Sequence, residues 1–243
     1  MAVPLGMGIV IPVGISVYRI TPVAYRTAST RHHRKVVNGA GAVRSRDGAR
    51  YNYPGVRTVY LAEDPLTCLA EKMFYFHREV LTGLDNLHLM PALVTPSFLQ
   101  PFVLWDVVFR NPVANVFDLT VATAPAAGVF PSLLLNPSQD YWHLKDRRAA
   151  IQAAGYRGLR APSTRATVPG NMVVLFDDQS GNIASITPYQ VEFRLVTPTG
   201  MPFVTHATDQ FDYLSGEIRL VAPGPLPAAL STFAGWSVVA FNH

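Results

Sequence analysis

The sequence predicts an α/β fold of the α+β kind. A mixed sheet forms the core of a domain over residues 1–185, and a β-rich extension at 186–243 packs on it. Three observations predict this. Hydrophobic residues make up 49% of the chain and charged residues 15%, so a large core can be buried. Short β-branched and aromatic runs, broken by Gly and Pro, alternate with two stretches of helical periodicity. From Ile186 onward only alternating runs and proline-rich turns remain.

The first eighteen residues carry no charged side chain and are largely apolar. No Lys or Arg precedes that run, and Gly6, Gly8, Pro12 and Gly14 interrupt it. A buried entry strand with a loose start is therefore expected rather than a secretory signal. Residues 17–20 read as a strand. Residues 27–47 read as a polar, basic connection with flexible points at Gly39 and Gly41. Residues 56–62 form the next strand. Asp64 before Pro65 starts a helix, because its carboxylate can accept free backbone N–H groups and Pro loses nothing at the first helical position. Leu66, Leu69, Ala70, Met73, Phe74 and His77 carry the helix to about residue 81.

Residues 87–94, 102–109 and 113–121 suit strands, with Pro91, Pro96 and Pro101 limiting them to ends or edges. Residues 124–136 have no assignment. Residues 138–154 form the second helix, stopped by Gly155. Trp142, Ala149, Ala150 and Ala154 suit its core face, and Lys145 to Arg148 suit water. Residues 158–161 run as a strand into the Pro162–Ser163 turn. The wholly apolar run 172–176 suits a central strand. Strands are expected near 191–195, 218–220 and 236–240.

One cysteine, Cys68, rules out an internal disulfide framework and fits a reducing, cytoplasmic setting. It is expected to point away from its helix's apolar stripe, as an inert small residue. No later run reaches the ~20 apolar residues of a membrane-spanning helix. Net charge is +4 and the pI about 9.3. Eight cations between Arg26 and Arg57 face one acid, Asp47, so this segment wants an anion. A dinucleotide pyrophosphate and a nucleic acid both qualify; a solvated loop is the bland alternative. His32, His33 and His77 lack metal-ligand spacing, and Rossmann, P-loop and hydrolase-elbow motifs are absent from the sequence.

The densest signal is the stretch 48–71, GARYNYPGVRTVYLAEDPLTCLAE. It sets Arg50, Tyr60 and Glu71 on a turn, a strand and a helix that can converge. With the later pieces Gly155-Tyr156-Arg157-Gly158, Pro162-Ser163-Thr164-Arg165 and Asn171 to Phe176, and an opening Tyr18-Arg19-Ile20, it resembles the RES domain over about residues 16–180. Ala49 and Tyr51 depart from that family's usual Gly and Trp. The resemblance implies a fold like the diphtheria-toxin group of ADP-ribosyltransferases and NAD⁺ as substrate, with no further cofactor and no metal. It also implies an intracellular toxin countered by an Xre-like helix-turn-helix antitoxin, with nucleic acid reached only through that partner.

The chemistry suits those residues. Cleaving the nicotinamide–ribose bond passes through an oxocarbenium-like ribose, which needs anchorage, a stacking surface and negative charge. Arg50 offers a planar fork to pyrophosphate, or ties its turn through backbone carbonyls. Tyr60 offers a ring and a hydroxyl, or packs in its strand. Glu71 can hold ribose hydroxyls and the developing charge, or is a solvated helix residue. Ser163 can bind ribose or the carboxamide, or cap its turn. Asn52 binds ligand or makes an Asx-turn, Arg165 meets phosphate or solvent, and Arg19 anchors ligand or joins a core-edge ion pair. Glu71, Ser163 and Tyr60 are the expected catalytic group; Arg50, Asn52, Tyr60, Arg19 and Arg165 are the expected NAD⁺-binding group. Glycohydrolysis, phosphorolysis and ADP-ribosyl transfer to a protein share this bond cleavage, and the sequence does not select the acceptor. A non-enzymatic nucleic-acid module over residues 26–57 is the alternative of a different class.

Overall fold

The computed structural model describes residues 7–22, 34–44, 46, 48–72, 100–135, 141–163, 170–196, 216–221 and 237–241. Its frame is a mixed sheet of strands β1 Gly8–Ile11, β2 Ser16–Pro22, β3 Val59–Ala62, β4 Gln100–Phe109, β5 Val113–Asp118, β6 Gly158–Pro162, β7 Asn171–Leu175, β8 Ile183–Val196, β9 Gly216–Val221 and β10 Ser237–Phe241. The strand order is β1-β5-β6-β7-β3-β2-β4-β8-β9-β10. The pair β5–β6 is parallel and the other neighbours are antiparallel. The expected α+β class is what the chain adopts.

The short helices are α1 Ala40–Arg44, α2 from residue 65 through 72, α3 Pro131–Leu135 and α4 Trp142–Ala153. The sheet separates two apolar clusters. Val59, Leu61, Val173, Trp105 and Val17 belong to one, while Val174, Leu159, Phe117 and Leu134 belong to the other. Strand alternation explains the division, since successive side chains of β3 and β7 point to opposite faces. Strand β7 lies between β6 and β3, which is why its residues are apolar without alternation. On β2 and β4, Trp105 is fully buried and its indole N–H donates to Thr21 Oγ1 at 2.7 Å.

Several local expectations are corrected. The entry strand β1 lies at an edge of the sheet with Val10 exposed, rather than buried. Strand β3 begins at Val59, because the Tyr53–Val56 turn closes with a Val56 N–H bond to the Tyr53 carbonyl at 3.2 Å. The supposed flexible connection holds a 3₁₀ turn, Arg34–Val37, and then α1; Val36 and Val37 are buried. The unassigned segment supplies the 3₁₀ turn Ala124–Ala127 and α3. Strand β5 ends at Asp118, and Val121 is exposed.

Helix α4 turns its faces differently from the expectation. Leu144, Arg148 and Ile151 are buried at i, i+4 and i+7, and Trp142 is 48% exposed. Arg148 is only 6% exposed because its flat guanidinium stacks over Phe176, 4.4 Å from the ring centroid. Cys68 is also buried, contrary to its expected outward position, and burial pushes its thiol well above the ordinary value. The strand expected at 87–94, and the helix beyond residue 72, lie outside the described residues. Strand β8 runs across position 185 and pairs with β4 from Phe109↔Ile183 to Gln100↔Phe193, so the segment after 185 joins the core edge to edge.

Candidate functional site

Four pieces of chain deliver the site. The first is the loop that enters β3. Ala49 and Asn52 exchange backbone hydrogen bonds of 3.1 and 3.2 Å, which closes a tight turn around Arg50 and Tyr51. Gly48 begins it at φ +71°, where a Cβ would sit 2.2 Å from the Asn52 carbonyl oxygen, so only glycine fits. Tyr60, on β3, reaches back to this loop. Its hydroxyl accepts the Tyr51 N–H at 2.9 Å and donates to Asn52 Oδ1 at 2.8 Å. Asn52 in turn donates to the Tyr53 carbonyl. Asn52 is thus buried scaffold, and the Tyr60 hydroxyl anchors the loop while its ring is half-buried.

Helix α2 is the second piece. Asp64 caps it as expected: Oδ1 accepts the Thr67 N–H at 2.7 Å and Oδ2 the Thr67 hydroxyl at 2.6 Å. Gly170 packs against this cap, where a Cβ would lie 1.7 Å from Thr67 Oγ1. The cap fixes the helix start, and Glu71 comes two turns later. The third piece is β6, which ends at Pro162 and presents Ser163. The Ser163 hydroxyl donates to Glu71 Oε1 at 2.6 Å across 92 residues of sequence, and the Ser163 N–H donates to the Gly170 carbonyl at 2.8 Å.

Arg50 ties these together. One Nη donates to the Pro162 carbonyl at 3.4 Å and the other to the Leu134 carbonyl at the end of α3, the fourth piece. Its guanidinium lies 5.2 Å from the Tyr51 ring centroid and 5.8 Å from that of Tyr141. At 8% exposure it is an interior cation, and its Nε makes no hydrogen bond among the described residues. The carbonyl-tying alternative for Arg50 is therefore realised, although the charge remains at the site.

Arg50, Tyr60, Glu71 and Ser163 thus form one connected group, with Asn52 supporting it. Arg19 stands apart. It shares the face of β2 that carries Val17 and Thr21, whereas Tyr60 lies on the opposite face of the sheet. Its charge acts on the Cys68 thiol. Arg165 lies outside the described residues.

Sequence reasoning missed Tyr51, Tyr141 and Arg148. Tyr51 is fully enclosed, its hydroxyl makes no hydrogen bond among the described residues, and burial pushes that hydroxyl up to about 12, with Arg50 pulling against the rise and Glu71 adding to it. Arg148 donates to the Arg57 carbonyl at 3.3 Å, two residues before β3 begins. Its signal was readable: an arginine at the i+4 position between Leu144 and Ile151 occupies the apolar stripe of α4.

The RES domain model matches residues 16–196. The chain belongs to the RES domain family. No curated protein matches it. Among solved structures, the crystal structure of the M. tuberculosis MbcT–MbcA toxin–antitoxin complex contains a chain of similar fold, with a TM-score of 0.50 and 20% identity over 75% of this chain and 87% of that one. The RES match covers β2 through β8, and so includes every residue of the connected group. Among the described residues, no helix is long and apolar enough to cross a membrane.

Proposed function

We propose that this RES domain consumes NAD⁺ by breaking the bond between nicotinamide and ribose, and that it acts as the toxin of a toxin–antitoxin pair. The observation that carries the reading is the Ser163–Glu71 hydrogen bond of 2.6 Å, next to the Pro162 carbonyl that Arg50 holds. Nicotinamide leaves as a neutral molecule from a cationic ring, so the ribose takes up positive charge as the bond stretches. Glu71, held in direction by the Ser163 hydroxyl, sets a carboxylate beside that charge and can accept hydrogen bonds from the ribose hydroxyls. The Tyr60 ring supplies a flat surface for the nicotinamide or ribose. Arg50 adds a fixed positive charge suited to the pyrophosphate, while its hydrogen bonds hold the turn that carries Ser163.

Other features support this over nucleic-acid binding. Of the basic segment, Arg50 is interior and Arg57 pairs with Asp178 at 2.8 Å. Arg50 is thus withheld from an extended nucleic-acid backbone, while Lys35, Arg44, Arg46 and Arg57 remain exposed. The occurrence of a similar fold in a toxin–antitoxin complex supports an antitoxin partner, for which a helix-turn-helix protein of the Xre kind is the candidate.

The test is to incubate the purified protein with NAD⁺, with and without phosphate, and to identify the products by mass. Free nicotinamide with ADP-ribose indicates water as acceptor. Free nicotinamide with a phosphorylated ADP-ribose indicates phosphate. Nicotinamide release that needs an added protein, with a mass gain on that protein, indicates transfer. Intact NAD⁺ under every condition would refute the proposal.

A further inference from the structure

On the face of the sheet opposite Ser163 and Tyr60 lies a second polar group. Arg160, on β6, forks onto Glu63 through Nε–Oε1 at 2.6 Å and Nη2–Oε2 at 2.9 Å, and its remaining Nη1 reaches Asp118 Oδ1 on β5 at 3.2 Å. Asn171 Nδ2, on β7, donates to Glu63 Oε2 at 2.9 Å. Bidentate pairing of this kind is directional as well as strong, and the Glu63 and Asp118 contacts hold the Arg160 charge above its already high ordinary pKa. Register places Arg160 beside Val173 and Leu159 beside Val174, so Arg160 shares the Val173 face while Leu159, Ala161 and Ser163 alternate to the other.

Connectivity gives this group its meaning. Arg160 lies three residues before Ser163 on the strand that presents it. Glu63 directly precedes Asp64, the cap of the helix that carries Glu71. The pair bridges β6 to the β3–α2 junction across β7, which lies between them. We infer that Arg160 and Glu63 are positioning residues: their fork fixes β6 against the start of α2, and this sets the Ser163–Glu71 contact on the far side of the sheet. Neither touches that contact. Other bonds also join these elements, namely the Glu63 N–H to the Asn171 carbonyl at 3.0 Å and the Ser163 N–H to the Gly170 carbonyl at 2.8 Å. Those backbone bonds hold the strands together. The β3–β7 and β7–β6 ladders set the strand register, and the side-chain fork adds a direct tie from β6 to the residue before the α2 cap, which those ladders do not make because β7 lies between.

The inference rests on Glu71 and Ser163 being the reacting pair, and the experiment separates the two ideas. Arg160→Met keeps the stem and removes the fork; Arg160→Lys keeps the charge without the fork. Each is measured for NAD⁺ turnover and for the Ser163 Oγ–Glu71 Oε1 distance in a crystal structure. Arg160→Met is expected to lower kcat by about 10²-fold, the usual consequence of roughly 1 Å of misplacement, with KM within about threefold of the parent. The Ser163–Glu71 distance should open beyond about 3.5 Å, the outer limit of a hydrogen bond. Arg160→Lys should recover part of kcat. If Arg160→Met does not fold, Glu63→Gln, which weakens the fork without changing shape, carries the same expectation in milder form. A variant with the parental kcat, or with the 2.6 Å contact intact, overturns the inference while leaving NAD⁺ consumption standing. A parent that consumes no NAD⁺ fails the functional proposal instead, and the distance alone then decides the role of Arg160.

Discussion

At the scale of single residues, the groups proposed to serve ligand and the groups that serve the fold respond differently to substitution. Arg50 does both. Arg50→Ala is expected to weaken NAD⁺ binding and also to cost about 2–3 kcal/mol of stability, since the Leu134 and Pro162 carbonyls lose a charged donor. Urea unfolding checks the second part, and an unchanged midpoint would contradict it. Tyr51 behaves in the opposite way. Its enclosed hydroxyl has no hydrogen-bond partner among the described residues, so Tyr51→Phe should leave stability unchanged or raise it by about 1 kcal/mol. The same hydroxyl gives a pH dependence. Its folded-state pKa is about 12 against an ordinary 10.0, so the unfolded chain loses this proton first as pH rises. The associated stability is complete below pH 10 and disappears between about 10 and 12, by roughly 2–3 kcal/mol. Tyr51→Phe should flatten that stretch of the stability–pH curve; an unaltered slope would contradict the assignment. Arg50, Tyr60, Glu71 and Ser163 were legible because together they fit the pattern of the RES domain, whereas local sequence alone favours ordinary roles for Tyr60. Tyr51 was passed over because only tertiary packing decides whether a loop tyrosine is enclosed.

At the scale of elements, capping was the most legible feature and helix faces the least. Asp64-Pro65 states a helix start in local chemistry, and Asp64 performs that role. Asp64→Ala should cost about 1 kcal/mol, measurable by thermal or urea unfolding. Gly170→Ala should cost more, because its Cβ cannot coexist with Thr67 Oγ1 at 1.7 Å and must displace the cap that orients Glu71. A loss of activity that exceeds the loss of stability is the expected signature, and full activity would contradict the link from cap to Glu71. Helix α4 shows why faces are harder to read. Arg148 reads as solvated on charge alone, yet its planar guanidinium covers Phe176 and satisfies the Arg57 carbonyl, while Trp142 is left half exposed. Residues 124–136 resisted assignment because a 3₁₀ turn and one short helix have no period long enough to detect.

At the scale of the whole molecule, the α+β class and the central place of β7 were legible from composition and run length, as were the strands near 191–195 and 218–220. The topology was not, because strand order depends on pairings between distant segments such as β1 with β5 and β4 with β8. Those pairings make a prediction. A chain ending at residue 185 removes nearly all of β8 and leaves β4 with an unpaired edge, so it should aggregate or unfold without cooperativity. Cooperative unfolding of that fragment would contradict the continuity of the sheet. The central claim, that Glu71 beside Ser163 carries charge stabilisation during NAD⁺ cleavage, is tested most directly by the rate of nicotinamide release from Glu71→Gln beside the parent. Glutamine keeps size and hydrogen bonding but removes the charge. Turnover is expected to fall by a factor on the order of 10² or more, with NAD⁺ binding and stability little changed. A folded Glu71→Gln protein that releases nicotinamide at the parental rate would contradict the claim.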